Sequence, residues 1–271
     1  MAGLIHPTAQ IDPRAHLASG VRVGAGVVIG PGVEIGPDCE IGAGAQVHGP
    51  TRIGRENRVF PLACVGFDPQ DLKFQGEASE LWIGDRNTIR ELTTLNRGTA
   101  FGGGTTRIGD DNLFMAYTHV GHDSQVGSRT VFTNGATLAG HVEVADDATI
   151  GAMSAVHQFC RVGRHAYIGG FSVITLDALP FARTVGQKPL CYGVNRIGLE
   201  RKGFSPDAIR EIERAFRVLL RSGKNTSQAL DQLRALPARG SDVDYLVDFV
   251  ASSKRGVIKS RRGGARGAGA G

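Results

Sequence analysis

Apolar residues recur at every sixth position of this chain. One run steps through Ile5, Ile11, Leu17, Val23, Ile29, Ile35, Ile41, Val47, Ile53, Val59 and Val65. A second begins at Ile108 and passes through Phe114, Val120 and Val126 to Ile174 without a polar step, and Ile83, Ile89 and Leu95 lie between the two. A period of six is neither the 3.6 of a helix nor the 2 of an amphipathic strand. As a multiple of two it suits short strands that each turn one aliphatic residue inward and then bend. Three hexads close a triangular coil of 18 residues, and stacked coils pair their backbones about 4.8 Å apart. Glycine often follows the aliphatic residue, as in VGAG, IGPG and IGDD, where a corner has little room for a Cβ. The pattern predicts an all-β hexapeptide parallel β-helix. Known helices of this kind coil left-handed, against the usual crossover rule.

Two stretches break the rhythm. GFDPQDLKFQGEASE (66–80) puts Asp71 and Glu77 on steps due an aliphatic residue. Leu95 to Ile108 spans 13 residues, one more than two hexads, which places a register shift in TAFGGGTT (99–106). Both read as loops leaving a regular prism, where function concentrates. The rhythm ends near Pro180. Ser205-Pro206-Asp207 then reads as cap, first helical position and first-turn acid, followed at helical spacing by Ile209, Ile212, Phe216, Leu219 and Leu220, with Gly223 closing the helix. Thr226 is the expected cap of a second helix, and a third is expected near Asp242–Ser252. The organisation expected is therefore a β-helix over 1–190, an α-helical domain over 191–253 and a basic, disordered tail over 254–271.

Composition adjusts this picture. Gly is frequent, at 39 of 271 residues, and aromatics are only 6%, as a fold of many tight corners requires. The net charge of +5 is misleading. Residues 254–271 hold six basic residues and no acid, leaving 25 basic against 26 acidic residues in the body. No aromatics alternate with the tail's charges, so it reads as a solvated extension with no nucleic-acid partner. No apolar run reaches the roughly 18 residues of a membrane span, and the first 15 residues lack the apolar core of a secretory signal. Cys39, Cys64, Cys160 and Cys191 are scattered and form no CxxC, which points to free thiols and a cytoplasmic protein.

The histidines carry the candidate chemistry. Subtracting whole coils of 18 brings His119, His122, His141 and His157 into a window of five residues on one edge, spanning about 10 Å axially. Gly140 and Gln158 fall on the slot of His122 itself. Such an edge suits general acid–base work, since imidazole titrates near working pH. A metal centre is not expected. No Cys, Asp or Glu cluster completes a ligand set, and Asp123 and His122, as neighbours on a strand, would point to opposite faces. No GxSxG, Walker or GxGxxG motif is present. Cys160 shares its slot with Ser154 and Ala166 and reads as packing. One base activating a hydroxyl for direct acyl transfer is the simplest chemistry.

These segments resemble the bacterial UDP-N-acetylglucosamine O-acyltransferases that begin lipid A synthesis. IHPTAQID, DPQDLKFQGE, IRELTTLNRGT, GGGTTRIGDDNLFMAYTHVGHD, NGATLAGHVEV, IGAMSAVHQFCRVG, YGVNRIGLERKGFS and RAFRVLLRSGK follow in order to about Ile258. The resemblance implies transfer of an (R)-3-hydroxyacyl group from acyl carrier protein to the glucosamine 3-hydroxyl, with no cofactor, in a homotrimer with sites between chains. It implies His122 as general base, Asp123 as the residue that tunes it and the Gly140 N–H as oxyanion donor. Gln70, Asp71, Lys73, His119, His141, His157 and Gln158 match substrate contacts, Gly170 the limit on acyl length, and Asn195, Arg201 and Lys202 nucleotide or donor contacts. Ile197 stands where an acid is common, and Lys202 where a second Arg is. Two alternatives have their own signatures. The N-acyltransferase of the same pathway, or another hexapeptide acyltransferase, typically adds an N-terminal domain for which a repeat starting at Ile5 leaves no room. A non-catalytic or metal-dependent hexapeptide scaffold would need a metal triad or an empty edge.

Overall fold

A computed structural model of the chain describes residues 4–236 and 239–260. Three sheets of nine, eight and ten strands, parallel except for the last strand of the ten-stranded one, form the faces of a left-handed triangular prism. Most strands are two residues long, one side chain inward and one outward. Successive coils pair at a step of 18, so Gln10 lies opposite Val28 and His119 opposite Thr137. Every six-step residue from Val23 to Ile174 is buried, in one column along the axis. Phe114 and Phe132 stack in it with ring centres 4.9 Å apart. Each such side chain contributes about 1.5–3 kcal/mol over its exposed state. Ile5, in the first described coil, is 47% exposed.

The three edges differ in character. Where the ten-stranded sheet turns into the nine-stranded one, Leu62, Leu92, Tyr117, Met153 and Phe171 stand exposed in a column. Where the eight-stranded sheet turns into the ten-stranded one, buried side chains form a ladder. Asn57 Oδ1 accepts the Asn87 N–H at 2.9 Å, Asn87 Oδ1 that of Asn112 at 2.9 Å, and Asn112 Oδ1 that of Thr130 at 2.8 Å. The third edge carries the histidines. Both expected loops are present. Val65 pairs with Leu95, 30 residues on, and Leu95 with Val120, 25 on, so two consecutive coils carry insertions.

The C-terminal boundaries depart from expectation. The prism continues past Pro180 through strand Ala182–Val185, and strand Leu190–Val194 then pairs with it antiparallel, so a boundary at 190/191 cuts a strand. Four helices follow: α1 Arg196–Arg201, α2 Pro206–Arg221, α3 Thr226–Arg234 and α4 Ser241–Ala251. The short α1 has no apolar periodicity and escaped the sequence pattern. Ser205 caps α2 as expected, through the Ala208 N–H. Asn225, not Thr226, caps α3, in a reciprocal box with Gln228. The expected tail begins too early. Ile258 is buried, its N–H donates to the Asp177 carbonyl at 2.9 Å, and the Lys259 carbonyl accepts the Cys191 N–H. With the Asp177 N–H on the Gly256 carbonyl at 2.9 Å, three backbone bonds and one apolar anchor hold 254–260 against the prism. The rest of the expected tail, 261–271, lies outside the described residues.

Candidate active site

His122 and Asp123 sit at the turn where the nine-stranded sheet gives way to the eight-stranded one, between strands His119–Val120 and Gln125–Val126. The expectation that their side chains diverge fails because neither is in a strand. Asp123 has φ 60°, and this left-handed corner folds its carboxylate back onto its neighbour. Asp123 Oδ2 lies 2.7 Å from His122 Nδ1, with both residues buried. Thr99 donates its N–H to Oδ1 at 2.8 Å and its hydroxyl to Oδ2 at 2.7 Å. Burial opposes the charge on Asp123, but the hydrogen bonds from His122 and Thr99 outweigh it and hold the carboxyl below the usual range. Asp123 is therefore a carboxylate at neutral pH, and it holds one imidazole nitrogen of His122 while leaving the other free.

That other nitrogen faces Gly140. A Cβ placed on Gly140 would overlap His122 Cε1 and lie 2.5 Å from Nε2, so only glycine leaves room for the ring. The Gly140 N–H has no acceptor among the described residues. His141 follows, its N–H on the His122 carbonyl at 2.9 Å and its ring edge-on to His122 at 5.0 Å. Its Nε2 is 3.7 Å from Asp123 Oδ2. Burial lowers its affinity for a proton, against the pull of Asp123. His119 is lowered likewise, by burial and by its neighbour His122, and its Nδ1 meets the Thr94 hydroxyl at 2.7 Å. The donor atoms of His122, Asp123 and His141 lie within 4.8 Å of one another. The convergence discounted from sequence thus exists, though both oxygens of Asp123 are engaged by hydrogen bonds.

The remaining candidates divide. His157 and Gln158 lie one coil on at the same edge, exposed. Asp71 is close enough to act on His141 electrostatically. Lys73 is exposed, its N–H held by Asp71 Oδ1 at 3.0 Å, and Gln70 is exposed in the same loop. Gly170 lies on the edge that carries the apolar column, away from His122 within one chain. Asn195, Arg201 and Lys202 belong to the strand–helix junction. Lys202 Nζ is engaged by Asp147 at 2.7 Å, and Asn195 Nδ2 by the His165 carbonyl. Arg201 is exposed and makes no ion pair among the described residues. Cys160 is buried, and burial pushes its thiol up to about 11, which suits packing and not nucleophilic attack. Sequence reasoning missed Thr99, Thr106, Phe101 and Phe159. The rings of Phe159 and His141 stack at 4.6 Å, and Phe101, 88% exposed, meets His141 edge-on at 6.0 Å. The only signal for Thr99 and Phe101 was the register shift that contains them.

No helix among the described residues is long and apolar enough to cross a membrane. Residues 4–37 match the bacterial transferase hexapeptide (six repeats) family, and 177–258 match domain 2 of UDP N-acetylglucosamine O-acyltransferase. A protein of Halorhodospira halophila named acyl-[acyl-carrier-protein]–UDP-N-acetylglucosamine O-acyltransferase is 48% identical, covering 94% of this chain and 99% of its own. One of the same name from Burkholderia mallei is 50% identical over the same shares. Among solved structures, the UDP-N-acetylglucosamine acyltransferase of Francisella novicida superposes with a TM-score of 0.93 at 34% identity, covering 95% of each chain. That of Bacteroides fragilis does so with 0.91 at 41%, covering 94% of this chain and 99% of its own. At 48–50% identity over nearly the whole of both chains, with the repeat and the C-terminal domain matched as well, the chain belongs to the UDP-N-acetylglucosamine O-acyltransferase family.

Proposed function

We propose that the chain moves an (R)-3-hydroxyacyl group from acyl carrier protein to the 3-hydroxyl of UDP-N-acetylglucosamine, the first step of lipid A synthesis, with His122 as the single base. The observation that carries the mechanism is the buried imidazole whose Nδ1 is held by Asp123 while its Cε1–Nε2 edge lies against Gly140. Nε2 takes the proton of the acceptor hydroxyl as its oxygen bonds to the thioester carbon. The Asp123 carboxylate stabilises the imidazolium so formed. The free Gly140 N–H receives the carbonyl oxygen as it gains charge. Collapse breaks the C–S bond, and the imidazolium returns its proton to the carrier's sulfur. Incubation with (R)-3-hydroxyacyl carrier protein and UDP-N-acetylglucosamine should yield a singly acylated nucleotide by mass spectrometry; no acylated nucleotide would overturn the reading.

Around this centre His119, His141, His157, Gln158, Gln70, Asp71 and Lys73 are proposed to contact the substrates, with Asn195, Arg201 and Lys202 on the nucleotide or donor. Lys73 is exposed beside the site, so Lys73→Ala should raise KM severalfold with kcat near parental. An unchanged KM for both substrates refutes its role.

The exposed column of Leu62, Leu92, Tyr117, Met153 and Phe171 supports assembly into a trimer, with a neighbour's column turned towards the histidine edge. Gly170 shares that column's edge, so the acyl pocket is proposed to be built from two chains. A Cβ at Gly170 would meet only Ala152, its carbonyl oxygen 3.3 Å away, so larger side chains can project outward. Gly170→Met should shorten the preferred donor by several carbons, each buried CH₂ being worth about 0.8 kcal/mol. A folded variant with unmoved donor preference assigns Gly170 to structure alone.

A further inference from the structure

The insertion at 99–106 turns its polar groups inward, onto Asp123. Thr99 is the N-cap of a 3-10 turn, Ala100–Gly102. Its Oγ1 accepts the Gly102 N–H at 3.2 Å, which directs its own proton to Asp123 Oδ2. Its backbone N–H takes Oδ1, and Thr106 Oγ1 accepts the Asp123 N–H at 2.7 Å. Two glycines lie against the carboxylate. A Cβ on Gly98 would lie 2.8 Å from Asp123 Oδ1, and one on Gly102 would overlap the carboxyl carbon. Neither glycine has a left-handed φ; at Gly102 the carboxylate alone excludes a side chain, and at Gly98 the backbone of Gly104 and Thr105 crowds the position even more closely than the carboxylate does. The insertion thus supplies two hydrogen bonds and one vacated position, at Gly102, to the buried Asp123 carboxylate, and a third hydrogen bond to its backbone N–H.

We propose that Thr99 is a positioning residue for acyl transfer: the insertion is a cradle that fixes the Asp123 carboxylate, and through it the His122 ring. This rests on the reading of His122 as the base. A carboxylate with Oδ2 held only by imidazole could rotate, and His122 would lose the orientation that aims Nε2 at Gly140. The charged and titratable groups facing this pair are His141, 3.7 Å from Asp123, His119 beside His122, and Asp71 acting through His141. None of them replaces the Thr99 hydroxyl, because none donates to Oδ2 at hydrogen-bond distance.

The test is Thr99→Val, which keeps shape and backbone N–H but removes the hydroxyl, beside Thr99→Ser, which restores it. A hydrogen bond to a charged group carries enough energy that Thr99→Val should lose about tenfold or more in kcat with KM unchanged. The proton shared by His122 Nδ1 and Asp123 should give a downfield NMR signal in the parent and in Thr99→Ser, broadened or lost in Thr99→Val. Gly102→Ala, whose methyl displaces the carboxylate, should reproduce both changes and serves if the valine variant does not fold. A retained signal and parental kcat in folded Thr99→Val or Gly102→Ala overturn the proposal. Parental turnover in His122→Ala would instead overturn the base assignment, and the same assay reads it separately.

Discussion

Turnover of His122→Ala should fall by about 10²–10⁴, the usual contribution of a positioned general base. The substitution removes the group facing the acceptor and leaves the buried axial column untouched, so the protein should keep its melting temperature and its assembly state. Asp123 would then hold only Thr99 and the more distant His141, and neither can take a proton at the position Nε2 occupied. Steady-state rates with saturating donor and acceptor, alongside a thermal melt and light scattering, check this. Activity within a few-fold of the parent, in a folded variant, would remove His122 from the chemistry.

Gly140→Ala should cost about 10² although it adds one methyl. The backbone there is not left-handed, so alanine is not strained by φ. Its methyl would stand 2.5 Å from His122 Nε2, about 1 Å inside a normal contact, and the ring cannot swing freely because Nδ1 is tethered. A misplacement of about 1 Å in a reacting group is enough for a loss of that size. The variant separates two uses of Gly140. If its N–H alone matters, alanine keeps the N–H and kcat should hold; if the room it gives the His122 ring matters too, kcat falls with the fold intact. An unchanged kcat would show that the ring can give way.

Periodicity made the prism legible because inward-facing slots repeat every six residues and alternatives at those slots would empty the core. The same arithmetic aligned His122, Gly140 and Gln158, since equal slots 18 apart must stack. It failed where chain direction departs from a strand. Asp123 was misjudged by applying strand alternation to a corner residue, and Thr99 could not be placed because an insertion of unknown path carries no slot number. At the C-terminus, Ala182–Val185 and Leu190–Val194 extend a sheet without the six-residue rhythm, and the docking of Ile258 depends on a groove formed by distant residues. Lys202 shows another limit, since its partner Asp147 lies 55 residues away and no local pattern announces the pair.

The asparagine ladder has a consequence for engineering. Its rungs Asn57, Asn87, Asn112 and Thr130 bracket the two coils that carry the insertions. Each rung fixes a coil to the next from inside, on an edge that neither insertion occupies. Loop length and stacking register are thereby separated: the residues between Phe67 and Glu80 can be exchanged for a longer segment without sliding the histidines off their stack. Doubling a flexible loop costs only about 0.6 kcal/mol in closure entropy, so such grafts should be limited by what the new loop touches and not by whether the scaffold holds. The prism can accept new acceptor-binding loops as a frame accepts a different pane.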